Sequence, residues 1–245
     1  MAIKNRPIIT GPIDCACVIH SNGYDWTYVD RLYNMLSRQI TAGIRFHVYT
    51  EADRYVPPHM IKHCLEEWPE VRGPKRSWWY KMQLFNPAHF GGNLLYLDLD
   101  VVVFNSLDWV TASNPDYFWT IRDFRYLQHT CSSMNSSMMW WNVGQYAWVW
   151  DQFCLESRDT VIRRHHGDQD YINSVITPKH KRFWPDQHFQ SWRWQCQEGG
   201  YDFPRRRHRA PGAAAHVDPD ASVIVFHGQP KPHQINDPIV QAHWC

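Results

Sequence analysis

Apolar positions along the chain follow two different spacings, and each spacing predicts a different element. Residues 14–20 form a short apolar run of the kind found in a buried strand, and residues 45–50 alternate between apolar and polar side chains. Between these two stretches, apolar side chains recur at helical spacing, at Val29, Leu32, Tyr33, Leu36 and Ile40. A strand, a helix and a strand in this order predict parallel strands joined by a right-handed crossover.

The same patterns continue along the chain and predict an α/β fold. Strands are expected over residues 117–121, 136–141 and 223–226. Helices are expected over residues 74–85, over the almost wholly apolar stretch 145–155, which should therefore be buried, and around Tyr171, Ile172, Val175 and Ile176. We expect a single domain over residues 1–245, with a mostly parallel central sheet flanked by helices.

Two carboxylates interrupt the most apolar part of the chain. Asp98 and Asp100 lie between the strand-like runs 94–97 and 101–104. Side chains two residues apart on an extended chain project to the same face, and a buried charge without compensation costs several kcal/mol. Mg²⁺ or Mn²⁺ would remove this cost, because both ions bind one or two carboxylates together with phosphate oxygens of a substrate. The alternative is that the aspartates only cap a tight turn, which accounts for one Asp but not for two.

Composition and charge narrow the classes of function. The net charge of +1 argues against a nucleic-acid partner, because binding to a phosphate backbone requires a clear basic excess. The chain has no apolar run of 18 residues and no apolar leader at its start, so we expect a soluble, cytoplasmic protein. The 7 cysteines have no paired metal-ligand spacing and fit a reducing compartment, and most of the 14 tryptophans are expected in the core.

Two predicted helices carry further candidate chemistry. Lys81 falls on the apolar stripe of the helix over residues 74–85, so its ammonium group either reaches the surface or meets an anion. Asp168 stands where a helix N-cap is expected. Capping would explain Asp168 but would leave the neighbouring Gln169 and Asp170 without a role.

Loops after predicted strands are candidate ligand contacts, because ligands of parallel α/β sheets bind beyond the carboxyl ends of the strands. The turn at residues 20–24 follows the first strand, and His227, Gly228 and Lys231 follow the last one. Arg205–Arg209 is a basic stretch. It is either a solvated loop or a surface for a phosphorylated or lipid-linked acceptor, which would bring the protein into peripheral contact with a membrane.

Four motifs of polar residues follow one another along the chain. They are Asp98-Leu99-Asp100 after a strand, Asn135-Ser136, then Asp168-Gln169-Asp170-Tyr171-Ile172-Asn173, and Gly228-Gln229-Pro230-Lys231-Pro232. Their types and order resemble the GT-A glycosyltransferases, and most closely glycosyltransferase family 8, the group of glycogenin and the bacterial lipooligosaccharide galactosyltransferases. The resemblance covers residues 14–233.

The resemblance implies a GT-A, Rossmann-like fold with two functional halves. Residues 14–104 would bind the nucleotide, and residues 105–245 would bind the acceptor and the donor sugar. The implied activity is a metal-dependent hexosyltransferase that moves a hexose from a nucleotide sugar, with UDP as the expected nucleotide, to a saccharide or lipid-linked acceptor. The anomeric configuration would be retained.

The resemblance also implies roles for individual residues. Asp98 and Asp100 match the pair that holds Mn²⁺, or Mg²⁺, on the diphosphate, and His227 is the candidate third ligand. Asp168 and Gln169 match the pair beside the anomeric carbon, and together with Asp170 they are the candidate catalytic residues. The residues expected to contact the nucleotide sugar are His20, Asn22, Tyr24, Lys81, Asn135, Gly228 and Lys231.

The last motif departs from the family pattern. The metal-binding histidine of the family stands three residues before the glycine, where this chain has Val225, whereas His227 immediately precedes Gly228. Residues two apart on a strand share a face, so His227 either ligates the metal or donates to a phosphate oxygen beside Lys231. The tryptophan that ends the family motif is replaced by His233.

Other functions use parts of the same pattern. A phosphatase of the haloacid dehalogenase type needs a lysine between its two acidic motifs, and no lysine lies between Lys81 and Lys179. A nucleotidyltransferase shares the fold and the metal chemistry but normally has a glycine-rich, basic loop after its first strand. A sugar-binding module without catalysis is the remaining alternative. An inverting transferase would need a carboxylate base, for which Asp170 and Asp123 are candidates.

Overall fold

The computed structural model describes residues 11–21, 23–71, 74–127, 132–202 and 205–245. Asn22, one of the expected nucleotide contacts, lies outside these residues. The strands are β1 Ile13–Val18, β2 Ile44–Thr50, β3 Ile61–Cys64, β4 Asn93–Leu97, β5 Val101–Val103, β6 Phe118–Arg122, β7 Met134–Asn142, β8 Lys181–Phe183, β9 Phe189–Ser191, β10 Tyr201–Asp202, β11 Arg207–His208 and β12 Val223–Val225. The α-helices are α1 Thr27–Gln39, α2 Ala147–Leu155, α3 Arg158–Arg164, α4 Asp168–Val175 and α5 Pro238–His243.

Seven of these strands form the central sheet, in the order β3-β2-β1-β4-β7-β6-β8. β1 runs parallel to β2 and β4, β2 runs parallel to β3, and β6 runs parallel to β8, whereas β7 is antiparallel to both of its neighbours. The sheet is therefore mostly parallel, and the predicted α/β class is confirmed. The predicted strand-helix-strand unit at its start is β1-α1-β2.

A smaller sheet joins the central one at the Asp-x-Asp motif. β5 pairs antiparallel with β12, and β12 pairs parallel with β9. The chain leaves the central sheet at Leu97 and enters the smaller sheet at Val101. Asp98, Leu99 and Asp100 are the three residues that connect the two sheets.

The central sheet separates two hydrophobic cores, and the side chains of β4 alternate between them. Leu95 and Leu97 pack into the core that α1, β5 and β12 cover, whereas Leu94 and Tyr96 pack into the other core. All four side chains are buried, and each buried leucine stabilises the fold by about 2 kcal/mol. This two-sided burial explains why β4 is a continuous apolar run.

Two predicted helices differ in detail from the expectation. Residues Pro74–Phe85 form 3₁₀ turns rather than an α-helix, and Trp78 is exposed instead of continuing the buried stripe. In α2 only Val149 and Phe153 are buried, and Leu155 is 85% exposed. The expectation of a wholly buried α2 was therefore wrong, because the helix lies across the second core and presents only one face to it.

The longest helix among the described residues is α1, with 13 residues. Across the described ranges, every helix is too short or too polar to cross a membrane.

Candidate active site

The two aspartates of the Asp-x-Asp motif each accept hydrogen bonds from one tyrosine and one lysine. Tyr96 Oη donates to Asp98 Oδ1 at 2.6 Å, and Lys81 Nζ lies 3.0 Å from the same oxygen. Tyr24 Oη donates to Asp100 Oδ2 at 2.7 Å, and Lys231 Nζ lies 2.5 Å from that oxygen. The protein itself therefore supplies a positive partner for both carboxylates.

Asp100 is a buried carboxylate in an acidic neighbourhood. Burial and the charge of Asp98 raise its pKa, although Lys231 and the Tyr24 hydroxyl act in the opposite direction. Lys231 Nζ also donates to Tyr24 Oη at 2.9 Å. The three side chains form a closed triangle on one wall of the site.

Lys81 is the centre of a second, more deeply buried network. The 3₁₀ segment carries its ammonium group to Asp98, to Asp168 at 3.1 Å and to Ser136 Oγ at 3.1 Å. Burial alone would lower the pKa of Lys81, but the carboxylates of Asp168 and Asp98 outweigh burial and raise it. Of the two alternatives for Lys81, the structure supports contact with anionic groups, and these are side chains of the chain itself.

Asp168 turns into this network instead of capping α4. The residue before it, Gly167, holds the N-cap position, and Asp168 is the first residue of the helix. Ser136 Oγ donates to Asp168 Oδ2 at 3.0 Å. Burial raises the pKa of Asp168, Lys81 lowers it, and Asp98 raises it further. The capping explanation was therefore wrong, since both contacts of this carboxylate lead into the site.

Gln169 is held between two partners on neighbouring elements. Its Oε1 accepts a hydrogen bond from the Ser136 backbone N–H at 3.1 Å, and its Nε2 donates to Asp123 Oδ2 at 3.2 Å. Arg125 binds both oxygens of Asp123 and fixes that carboxylate in turn. The amide of Gln169 thus has a defined orientation at the end of β7.

Three further residues of the sequence motifs, Asn135, Asp170 and Asn173, differ in their burial and contacts. Asn135 is buried, and its side-chain oxygen accepts a hydrogen bond from the Ser137 backbone N–H at 3.0 Å. Asp170 is exposed on the first turn of α4. Asn173 does not line the cavities of the site, and its side-chain oxygen accepts hydrogen bonds from Lys181 Nζ and the Met134 backbone N–H.

His227 lies in the site but is not directed at the aspartates. Its Nε2 is 2.7 Å from Ser191 Oγ, and its ring stacks on Phe124 with 5.8 Å between the ring centres. Burial and the charges of Arg193 and Lys231 lower the pKa of His227 to about 4, against an opposing effect of Asp123. The imidazole is therefore neutral at neutral pH.

His20 and Gly228 border the same site on the side of Asp100 and Lys231. His20 Nε2 lies 3.0 Å from Glu67, and its ring packs on Tyr80 at 4.1 Å. Gly228 has φ of +80°, a left-handed conformation that favours glycine. The turn after β12 therefore exposes backbone close to Lys231 and His227.

Three adjoining cavities connect these groups. The first, of about 480 Å³, is lined on one side by His20, Tyr24, Asp100, Gly228 and Lys231. The second, of about 330 Å³, is lined by Asn135, Asp168, Gln169 and Asp170. Five residues line both of these cavities: Trp78, Lys81, Asp98, Ser137 and His227. The third, of about 540 Å³, extends from Gln169 and Asp170 to Asp123, Arg125 and Trp194.

The donor atoms of the site partly fit a divalent metal. Within the described parts of the chain, no three His, Cys, Asp or Glu side chains gather as ligands of a metal ion. Asp98 and Asp100 nevertheless line the same cavity and offer the oxygen atoms that Mg²⁺ and Mn²⁺ prefer. These two residues fit a metal site that phosphate oxygens of a substrate would complete. His227 Nε2 would first have to give up its hydrogen bond with Ser191 to join such a site.

Several residues of the site were not found from the sequence. Tyr96 lies two residues before Asp98 and therefore shares its strand face, which was a readable signal. Trp78, Asp123 as the partner of Gln169, and Ser191 as the partner of His227 come from segments far apart in the chain. Their positions depend on how the elements pack.

Solved structures with the same fold are readily found, although no protein-family model and no curated protein sequence matches the chain. An active-site mutant of LgtC has a TM-score of 0.67 at 13% identity, with 94% of each chain covered. The galactosyltransferase LgtC in complex with donor and acceptor sugar analogues has a TM-score of 0.63 at 15% identity, covering 90% of this chain and 89% of the other.

A third similar structure has a longer chain, and the similarity covers a smaller share of it. The glycosyltransferase GlyE of Streptococcus pneumoniae has a TM-score of 0.63 at 12% identity, covering 95% of this chain and 60% of GlyE. At such identities the similarity concerns the fold. The chain therefore has the GT-A glycosyltransferase fold, and its resemblance to glycosyltransferase family 8 is confirmed at the level of the fold.

Proposed function

We propose that the protein is a metal-dependent glycosyltransferase that moves a hexose from a UDP-sugar to a saccharide or lipid-linked acceptor with retention. The observation that carries this proposal is the meeting of four sequence motifs around two adjoining cavities. Asp98 and Asp100 border the first cavity, and Asp168 and Gln169 border the second. The fold shared with LgtC, whose structure was solved in complex with donor and acceptor sugar analogues, supports the proposal.

The first cavity would hold the nucleotide and its diphosphate. Asp98 and Asp100 would bind Mn²⁺ or Mg²⁺, and the bound ion would supply positive charge to the diphosphate as it leaves. Lys231 would exchange Asp100 for a phosphate oxygen, which keeps its charge paired throughout. His20, Asn22, Tyr24 and the backbone at Gly228 are the proposed contacts of the nucleotide.

The second cavity would hold the transferred sugar. Lys81 lies at its border with the first cavity and would stabilise negative charge that develops on the leaving diphosphate. Asp168 and Gln169 would lie beside the sugar, with Asn135 as a further contact. The amide of Gln169 suits a role in orienting the anomeric centre, because both of its ends are hydrogen-bonded to neighbouring elements.

The third cavity would receive the acceptor. It opens from Gln169 and the exposed Asp170 toward Trp194, so an acceptor hydroxyl could approach the sugar from this side. Asp170 would then be the carboxylate nearest to that hydroxyl. An aromatic wall and paired charges suit a saccharide.

Peripheral membrane contact through Arg205–Arg209 remains a separate part of the proposal. Arg205 pairs with Asp202 at 2.8 Å, and the Arg209 guanidinium donates to the carbonyl groups of Cys196 and Gln197. Arg206 and Arg207 stay exposed for an anionic surface. Co-sedimentation with vesicles that contain anionic lipid would test this part, with an Arg206→Ala/Arg207→Ala variant as the comparison.

A thermal-shift panel of UDP-, GDP- and CMP-sugars, each with and without Mn²⁺, tests the central proposal. We expect stabilisation by a UDP-sugar that depends on Mn²⁺. Hydrolysis of the bound donor, followed by NMR of the released sugar, would then report the anomeric outcome. Binding without any hydrolysis or transfer would instead favour a sugar-binding module, and the absence of every shift would contradict the proposal.

A further inference from the structure

Trp78 is an exposed indole among cavity-lining residues that are mostly polar or charged. Four large hydrophobic side chains are exposed among the described residues, and Trp78, at 38% exposure, is the one that lines the cavities described above. The others, Tyr55, Ile61 and Leu155, do not line these cavities. Leaving this much aromatic surface in water at a ligand site is unfavourable unless a ligand covers it.

The backbone conformation of the 3₁₀ segment directs Trp78 toward the reactive groups. Residues three apart in a 3₁₀ helix lie on the same side of its axis, so Trp78 stands one turn before Lys81 on the side that faces Asp98 and Asp168. Trp78 is thereby placed next to the border between the first and second cavities.

The indole of Trp78 packs against the backbone at Gly167. A Cβ atom at this position would lie 3.3 Å from Trp78 Nε1 and 3.5 Å from its Cδ1, so the indole rests against the backbone that leads into α4. The contact is with the Nε1–Cδ1 edge of the indole, and Trp78, Asp168 and Gln169 line the same cavity.

A ligand that spans both cavities must pass Trp78. Tyr24, Asp100 and Lys231 line only the first cavity, and Gln169 lines the second but not the first. Trp78 lies between these groups, together with Lys81 and Asp98. In the proposed function the diphosphate lies beside Asp100 and Lys231, so the donor sugar would extend from there past Trp78 toward Gln169.

We propose that Trp78 is the stacking platform for the pyranose ring of the donor and that it makes the site prefer a nucleotide sugar over the free nucleoside diphosphate. The C–H groups on one face of a pyranose carry partial positive charge and match the negative face of the indole. The sugar hydroxyls would remain free to bond to Asp168 and Gln169. This inference rests on the proposed glycosyltransferase function.

Calorimetric titration of UDP, UDP-galactose and UDP-glucose in the presence of Mn²⁺ tests the inference. For Trp78→Leu we expect about fivefold weaker binding of the UDP-hexose that the wild type prefers, with UDP affinity unchanged within about twofold. Trp78→Phe should recover most of the loss, because it restores an aromatic face. Tyr55→Leu, which removes an exposed aromatic side chain outside these cavities, should bind both ligands like the wild type.

The outcomes separate this inference from the function on which it rests. Equal weakening of UDP and UDP-hexose in Trp78→Leu would overturn the inference, and so would wild-type affinity for both. If the wild type binds none of the three ligands, the proposed function fails as well. Thermal melting of each variant identifies a loss of affinity that arises from misfolding. If Trp78→Leu misfolds, Trp78→Phe is the deciding variant. Weak binding of the UDP-hexose by Trp78→Phe would also overturn the inference.

Discussion

Each aspartate of the Asp-x-Asp motif is neutralised by a lysine before any ligand arrives. Lys81 pairs with Asp98, and Lys231 pairs with Asp100 at 2.5 Å. Asp100 is buried and Asp98 is half-buried, and the lysine partners offset the cost of removing these charges from water. Both ammonium groups contact one oxygen of their carboxylate, so their positive charges would oppose a metal ion that binds the other oxygens of Asp98 and Asp100.

Asp100→Asn should abolish metal-dependent binding of the nucleotide sugar, by at least about tenfold in affinity, because the amide cannot replace a carboxylate as a ligand. The substitution keeps the shape of the side chain, and the Lys231 ammonium is close to solvent, so melting should shift by no more than about 3 °C. Calorimetry with Mn²⁺ and thermal melting measure the two effects. Unchanged donor affinity would contradict the role of Asp100 in metal binding.

Lys231→Met should raise the Mn²⁺ affinity of the protein in the absence of nucleotide. Removal of the ammonium leaves Asp100 available to the metal. A Lys231 ammonium that occupies Asp100 in about nine molecules of ten weakens the apparent Mn²⁺ affinity about tenfold. Isothermal titration with Mn²⁺ alone measures the effect. Lys179→Met, which removes an exposed lysine of the same charge, is the matched control. Equal Mn²⁺ affinity in all three proteins would show that Lys231 does not compete.

At the scale of elements, α4 and β7 together fix the amide of Gln169. Its oxygen is bound by the Ser136 backbone in β7, and its nitrogen is bound by Asp123 after β6. In the proposed function the side chain would meet the donor sugar without first having to be ordered.

Gln169→Ala should lower turnover by about 100-fold, in the range found when one preorganised polar group is removed from an active site. UDP affinity should stay within about twofold, because Gln169 does not line the first cavity. Steady-state kinetics and UDP titration measure the two quantities. A loss of folding instead would mean that Gln169 mainly connects α4 to β7.

A chain of polar side chains also links the first three strands of the central sheet. Asp14 on β1 lies 2.9 Å from His47 on β2, and His47 Nδ1 lies 2.8 Å from His63 Nε2 on β3. The His63 ring stacks on Tyr49, and His89 meets it edge-on. Burial and the charges of His47 and His89 lower the pKa of His63 from 6.5 to about 4.

This pKa predicts a loss of stability in acid. Between pH 6.5 and about 4 the unfolded chain binds a proton at His63 that the folded chain does not bind, so the free energy of unfolding falls as pH falls. His63→Gln, which keeps a partner for His47, should reduce the loss between neutral pH and pH 5 by about 1 kcal/mol. Urea unfolding at both pH values measures it. An identical pH dependence in the variant would exclude His63 as its source.

At the scale of the whole molecule, the smaller sheet of β5, β12 and β9 determines the position of His227. Val225 pairs with Val101 on one side and with Ser191 on the other, so the ends of β12, β5 and β9 meet beside the Asp-x-Asp motif. His227 follows β12 and bonds to Ser191 across this junction. Ligation of a metal through Nε2 would need that bond to break.

His227→Ala should weaken Mn²⁺ binding in the presence of UDP by about tenfold and reduce the preference for Mn²⁺ over Mg²⁺, if the imidazole moves to the metal. Ser191→Ala, which releases the ring, should strengthen Mn²⁺ binding. Metal titrations in the presence of UDP compare the three proteins. Wild-type metal affinity and preference in His227→Ala would exclude ligation and leave the contact with phosphate.

The sequence by itself determined the elements and most of the site's residue types, because these depend on local spacing. Alternation and helical periodicity located β1, α1, β2 and β12, and a carboxylate pair between two apolar strands required a partner of opposite charge. Burial of α2 was overestimated, because composition reports apolarity and not how much of a helix surface finds a neighbour.

Only the tertiary structure decided which groups meet. Lys81 faces Asp98 and Asp168 across 17 and 87 residues of chain, and Lys231 reaches Asp100 from the far end of the sequence. The same holds for His227, whose partner Ser191 comes from another strand. Such contacts depend on strand order and on the junction of two sheets, which residue spacing along one strand or helix does not encode.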